Sequence, residues 1–86
     1  MTNMESEVIT LDIISPEKVI ISTRASRVEL PGTVSRFVVL KDHAPMISSL
    51  AKGEIVYDAG GEEKRQPVSS GFVKIEDNHV MACVEL

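Results

Sequence analysis

One cysteine, no tryptophan and only three other aromatic residues occur in a chain of 86 residues. The lone thiol, Cys83, excludes an internal disulfide framework and suits a reducing compartment. The rings of Phe37, Tyr57 and Phe72 offer little stacking surface, and nine basic against thirteen acidic residues leave a net charge of -4 with no arginine-rich stripe. Nucleic-acid binding needs phosphate neutralisation and usually stacking platforms, so these deficits argue against it. No apolar run approaches the roughly 18 residues of a membrane span, and no basic amphipathic helix is visible that would lie on a bilayer. The opening MTNMESEVIT lacks the positive start and apolar centre of a signal peptide, and Glu5 and Glu7 oppose a transit sequence. The expectation is a cytoplasmic chain that stays where it is made.

What is present is the composition of one small globular domain, 43% hydrophobic and 26% charged. At this size folding buries only about 60–65% of the unfolded surface, which leaves a thin core and little room for a deep active site. Ile9, Leu11 and Ile13 alternate with Thr10 and Asp12, the period-two pattern of a half-buried strand. Ser15-Pro16-Glu17-Lys18 makes a turn, and β-branched Val19 to Thr23 returns as a second strand. Val28 and Leu30 alternate with Arg27 and Glu29 up to a turn at Pro31-Gly32. Phe37 to Leu40 is apolar on both faces, as in a strand buried on both sides or one whose outer face a partner covers.

Pro45 to Leu50 is the one segment that suits a short helix or single turn, stopped early by Ser48-Ser49 and Lys52-Gly53. Glu54 to Tyr57 reads as extended, Asp58-Ala59-Gly60-Gly61 as a hairpin turn, and Glu62 to Arg65 as a charged strand start. Val68, then Val73 with Ile75, then Val80 with Ala82 and Val84 continue the alternation, with Asp77-Asn78 as a tight turn. About eight to ten short strands with turns every 8–12 residues predict an all-β antiparallel sandwich or flattened barrel spanning residues 1–86 as a single domain.

Catalytic chemistry has few candidates. His43 beside Asp42 could titrate near neutral pH, but a catalytic set also needs a positioned nucleophile, and no G-x-S-x-G elbow is present. His79 reads as a solvent-facing strand residue. Together with Cys83 it falls on one strand face about 13 Å away, too far for a shared metal. Gly60-Gly61 lacks the rest of a phosphate loop, and Glu62-Glu63 would repel phosphate. Cys83, set between Ala82 and Val84, reads as a buried small hydrophobe. No catalytic, metal, nucleotide or cofactor site is expected.

The order of particular residues says more. The start SPEKVIIS, the central ELPGTVSRFVVLKDHAPMISSLAKGEI and the closing QPVSSGFVKIEDNHV resemble three separated signatures of one family. This is the N-terminal β-sandwich domain of the epsilon subunit of rotary F-type proton-translocating ATP synthases, matched from Ile9 to Val84. The resemblance implies a non-catalytic central-stalk subunit on the cytoplasmic side of a bacterial membrane. Such a subunit couples the gamma subunit to the c-subunit ring and meets the membrane only through the assembled complex. It implies that Pro31, Gly32, Thr33, Val34, Ser35 and Arg36 form the c-ring-facing loop, and that His43, Ala44, Pro45 and Met46 form a rotor-interface loop. His43 is then structural or interfacial, with Ala44 held extended by Pro45. The chain also resembles short epsilon forms without the C-terminal helical hairpin. It departs from the family pattern in lacking glycine near Ser35, Val38 and Asp42 and in carrying a cation, not an acid, at Arg36. That reversal implies compensation in a partner or a different contact. The competing expectation is a free-standing β-sandwich that binds a peptide along a strand edge or a small ligand.

Overall fold

The computed structural model describes residues 7–86. The N-terminal reading, as far as it rests on residues 1–6, lies outside the described residues. Nine strands run in chain order: β1 Ile9–Ile14, β2 Val19–Ala25, β3 Arg27–Pro31, β4 Arg36–Val39, β5 Met46–Leu50, β6 Gly53–Ala59, β7 Glu62–Val68, β8 Ser70–Glu76 and β9 His79–Glu85. They form a five-stranded sheet of order β2-β1-β9-β8-β5 and a four-stranded sheet of order β4-β3-β6-β7. The predicted sandwich is therefore present. All pairs are antiparallel except β1 with β9, which run parallel and bring the two ends of the described chain into the same sheet.

The alternation in the sequence becomes the core. Ile9, Leu11 and Ile13 of β1, Val73 and Ile75 of β8, and Val80, Ala82 and Val84 of β9 face Val28 and Leu30 of β3, Val39, Ile55, Tyr57 and Val68. Among the described residues no polar or charged residue is buried, so the contact between the sheets is wholly apolar apart from the Tyr57 hydroxyl.

Two-residue turns with both φ angles positive close β6–β7 at Gly60-Gly61 (62° and 79°) and β8–β9 at Asp77-Asn78 (52° and 60°). These are the primed turns whose twist matches that of the flanking strands. At the β1–β2 turn Ser15 N–H donates to the Lys18 carbonyl at 2.9 Å, while Ser15 Oγ accepts from the N–H groups of Glu17 and Lys18.

Three expectations need correction. Pro45 to Leu50 holds no helix: Met46–Leu50 is edge strand β5, paired along its length with β8. Ladder hydrogen bonds to β8 outweigh the weak local preference of Ser48-Ser49 for turns. Cys83 is not in the core. Because Val80, Ala82 and Val84 point inward, Cys83 points outward and is half-buried on the outer face of the five-stranded sheet. His79, on that same face, is not simply solvated, since it pairs with Asp12 of β1.

Gly71 in β8 tests the packing most sharply. A Cβ there would overlap the Cys83 carbonyl oxygen and lie 2.9 Å from Val84 Cα, both backbone atoms of β9 that cannot swing aside. Gly71→Ala is expected to cost about 3 kcal/mol in urea unfolding. Gly60→Ala, which meets nothing within 4 Å but sits at φ +62°, should cost only about 1 kcal/mol. Equal losses would show that the β8–β9 spacing is adjustable.

Candidate interaction surfaces

The two loops singled out in the sequence lie at opposite ends of the sandwich. At one end, the loop after β3 folds over the edge of β5. Gly32 bridges Leu50, Thr33 N–H donates to the Ser49 carbonyl at 3.2 Å, the Thr33 and Ser49 hydroxyls share a hydrogen bond at 2.8 Å, and Ala51 N–H donates to the Pro31 carbonyl at 2.7 Å. Gly32 is required because a Cβ would meet the Ser35 carbonyl and the Phe37 ring. At the tip, Val34 is 98% exposed, an apolar side chain held out on a loop tied down at its base.

Arg36 is not a free cation. Its Nε lies 3.2 Å from Glu29 Oε2 and its guanidinium donates to the Glu54 carbonyl at 2.9 Å, so the reversed charge is compensated within the chain and not left for a partner. It belongs to a network over the outer face of the four-stranded sheet that also pairs Arg27 with Glu29 and Arg65 with both Glu54 and Glu63. Val56, set among these ion pairs on that face, is only 5% exposed. The long aliphatic stems of arginine cover apolar surface in this way. Of the Phe37 to Leu40 run, Phe37 packs against the core and Val39 is buried, whereas Val38 and Leu40 are left outward.

At the other end, Leu40 to Pro45 carries the chain from the four-stranded to the five-stranded sheet. Asp42 adopts φ 64°, the left-handed conformation a glycine would take freely, which explains how the turn survives without one. His43 Nδ1 lies 2.7 Å from the Ala44 carbonyl oxygen, and since a carbonyl only accepts, Nδ1 bears the proton. Met46 packs against the core and Ile47 is 73% exposed.

The outer face of the five-stranded sheet differs from that of its partner sheet. Strand register lines up Val19, Ile14, Cys83, Phe72 and Ser49 in one row across all five strands. Four of these five are apolar or nearly so, and Phe72 is 55% exposed. Ile14, Cys83 and Phe72 of this row, with Pro16 and Leu50, line a shallow groove of about 500 Å³. The next row, Ser22, Asp12, Met81, Lys74 and Ile47, is mixed. In it Ser22 Oγ donates to Asp12 Oδ1 at 2.6 Å, and His79 Nε2 reaches Asp12 Oδ2 at 2.7 Å. Serine, aspartate and histidine thus meet, but the carboxylate sits between the other two. The hydroxyl is held by an acid and not by the imidazole, so no activated nucleophile results. His43 and His79 stand in separate networks, and no group of three His, Cys, Asp or Glu able to hold a metal occurs among the described residues. Sequence spacing could not disclose the Asp12–His79 pair, whose members are 67 positions apart.

A β-sandwich with one salt-bridged face, one face crossed by an apolar row and a tethered loop at each end defines a docking module. Residues 8–85 match the family described as ATP synthase, Delta/Epsilon chain, beta-sandwich domain. The chain therefore belongs to this family of ATP synthase delta/epsilon-chain β-sandwich domains. It is 35% identical over 77 residues to the ATP synthase epsilon chain of Anaeromyxobacter sp. (strain K), covering 90% of this chain and 58% of that one. To the epsilon chain of Nitratidesulfovibrio vulgaris (strain DP4) it is 37% identical over 75 residues, covering 87% and 56%. A chain in the Euglena gracilis mitochondrial ATP synthase, described as OSCP/F1/c-ring, superposes with TM-score 0.83 at 20% identity, over 91% of this chain and 51% of that chain. The chain thus spans just over half the length of the relatives it matches.

The Asp12 cluster predicts an acid-sensitive contribution to stability. The Ser22 hydroxyl, with smaller help from His79, holds the Asp12 carboxyl below its ordinary 3.8 against the opposing effect of desolvation. A folded-state pKa below the unfolded one adds stability above the unfolded value and loses it as pH falls through the folded value. Stability of the native chain should therefore fall more steeply below about pH 4 than that of Asp12→Asn, measured by urea unfolding across the acid range. Equal slopes would assign the acid loss to other carboxylates.

Proposed function

We propose that the chain is a non-catalytic part of the central rotor stalk of an ATP synthase, coupling the gamma subunit to the ring of c subunits so that proton-driven rotation reaches the catalytic head. The observation that carries this proposal is the uncovered apolar row on the outer face of the five-stranded sheet, set against the self-neutralised face of the other sheet. A face whose charges are already paired gains little from a partner, whereas an apolar row gains by losing water. The gamma subunit covers this row and reaches the His43, Ala44, Pro45 and Met46 loop. The Pro31, Gly32, Thr33, Val34, Ser35 and Arg36 loop, at the opposite end, meets the polar loops of the c ring with Val34 foremost. A solved relative described as central stalk/c-ring from the Tetrahymena thermophila mitochondrial ATP synthase, at TM-score 0.77, supports this setting.

Transmission of torque asks for stiffness. The close-packed apolar interior and full strand pairing supply it, since a well-packed core deforms little under load. The subunit then works at the cytoplasmic side of the membrane, held there by its protein partners.

Co-expression with the gamma subunit of its own source, followed by size-exclusion and native mass analysis, should give a one-to-one complex. Both chains folded yet unassociated would sink the assignment. Within the complex the two contacts should separate. Phe72→Glu is expected to weaken gamma binding by at least about tenfold with little change in the unfolding midpoint. Val34→Asp should leave the gamma complex intact while reducing its retention on purified c ring. Loss of both partners by either variant would place the two contacts on one surface.

A further inference from the structure

We propose that Asn78 is a positioning residue for docking: its side chain presets the His43–Met46 loop from across the sandwich end, an inference that rests on that loop being a rotor contact. Asn78 Oδ1 accepts the Asp42 backbone N–H at 2.6 Å, and Asn78 Nδ2 donates to Asp42 Oδ1 at 3.1 Å. The assignment of the amide is forced, because a backbone N–H can face only the oxygen. The two bonds are reciprocal and join residues 36 positions apart. The Asn78 carbonyl also accepts from Thr10 N–H at 2.8 Å, so one residue ties the crossover loop to the first strand and to its own turn.

Met46 anchors one end of the loop through its pairing with Ile75 and its packing on the core, but without the clasp the stretch before it is held weakly. Its own backbone closes through His43 N–H to the Leu40 carbonyl at 3.2 Å, and Pro45 restricts Ala44, but neither contact reaches the body of the five-stranded sheet. Asp42 meanwhile occupies a left-handed conformation, at φ 64°, that side-chain-bearing residues leave when released. Asn78 is itself left-handed at φ 60°, a conformation asparagine tolerates, so its backbone already aims the amide at Asp42. A loop preset in this way loses less conformational freedom on docking.

Exchange of the donor and acceptor roles tests the clasp. Asn78→Asp sets two carboxylates against each other and should open the loop. Adding Asp42→Asn gives the pair D42N/N78D, in which residue 78 accepts both bonds and residue 42 donates both, and should close it again. Asn78→Gly keeps the turn conformation without the side chain and serves as the variant safest to fold. In the full chain, hydrogen exchange of the Asp42 amide reads the clasp without any partner, and affinity for the gamma subunit reads docking. Asn78→Asp and Asn78→Gly are expected to accelerate exchange and weaken gamma binding, each by about tenfold, with the double variant restoring both. Faster exchange with native affinity would overturn the positioning role and leave the rotor assignment standing. Failure of the double variant to restore affinity would also overturn it. Failure of the unaltered chain to bind gamma would remove the rotor assignment on which the inference rests.

Discussion

The contact between the two sheets is the constraint on which everything else depends. In a domain this small, every strand must contribute its inward residues to one shared layer, and the layer is almost entirely aliphatic. Apart from the Tyr57 hydroxyl, no polar or charged side chain is buried among the described residues, so no internal charge network competes with packing for the register of the strands. Register follows from which residues must point inward, because a slip of one position would turn Leu11 and Ile13 out to water and Asp12 into the core.

Once the inner layer is set, each outer face is set as well, since alternate residues have nowhere else to go. On the four-stranded sheet this brings Arg27, Arg36 and Arg65 to Glu29, Glu54 and Glu63, and the six charges neutralise one another around Val56. On the five-stranded sheet the same rule places Ile14, Cys83 and Phe72 side by side across three strands. A salt-bridged face and a face crossed by an apolar row therefore arise from one folding constraint, and the difference between them gives the module a direction. Exposed ion pairs of this kind contribute little to stability, and their effect here is to leave one face with less to gain from a partner.

Much of this was legible in the chain. The β1 alternation, the β-branched run of β2 and the turns at Gly60-Gly61 and Asp77-Asn78 each carry a local physical cause that needs no knowledge of neighbours. The ordered signatures around Pro31-Gly32, His43-Ala44-Pro45 and Ser70-Gly71-Phe72 led to the family to which the chain belongs. Met46–Leu50 was not legible. Ser48-Ser49, three positions after Pro45, carry no strand signal, and the segment is extended because β8 offers it a ladder. Nor was the place of Cys83 on an outer face read correctly, although the alternation of Val80, Ala82 and Val84 already held the information.

By itself, then, the sequence determined the class of fold, the inward face of most strands and the family, because these follow from period-two patterning and from turn chemistry that acts over a few residues. Tertiary structure alone decided the parallel β1–β9 pairing, the Asp12–His79 contact, the pairing of Arg36 with Glu29 and the Asn78 clasp on Asp42. Apart from Arg36 and Glu29, these partners stand dozens of positions apart. Which long-range groups meet depends on how the strands are ordered in the sheets, and no local preference carries that order.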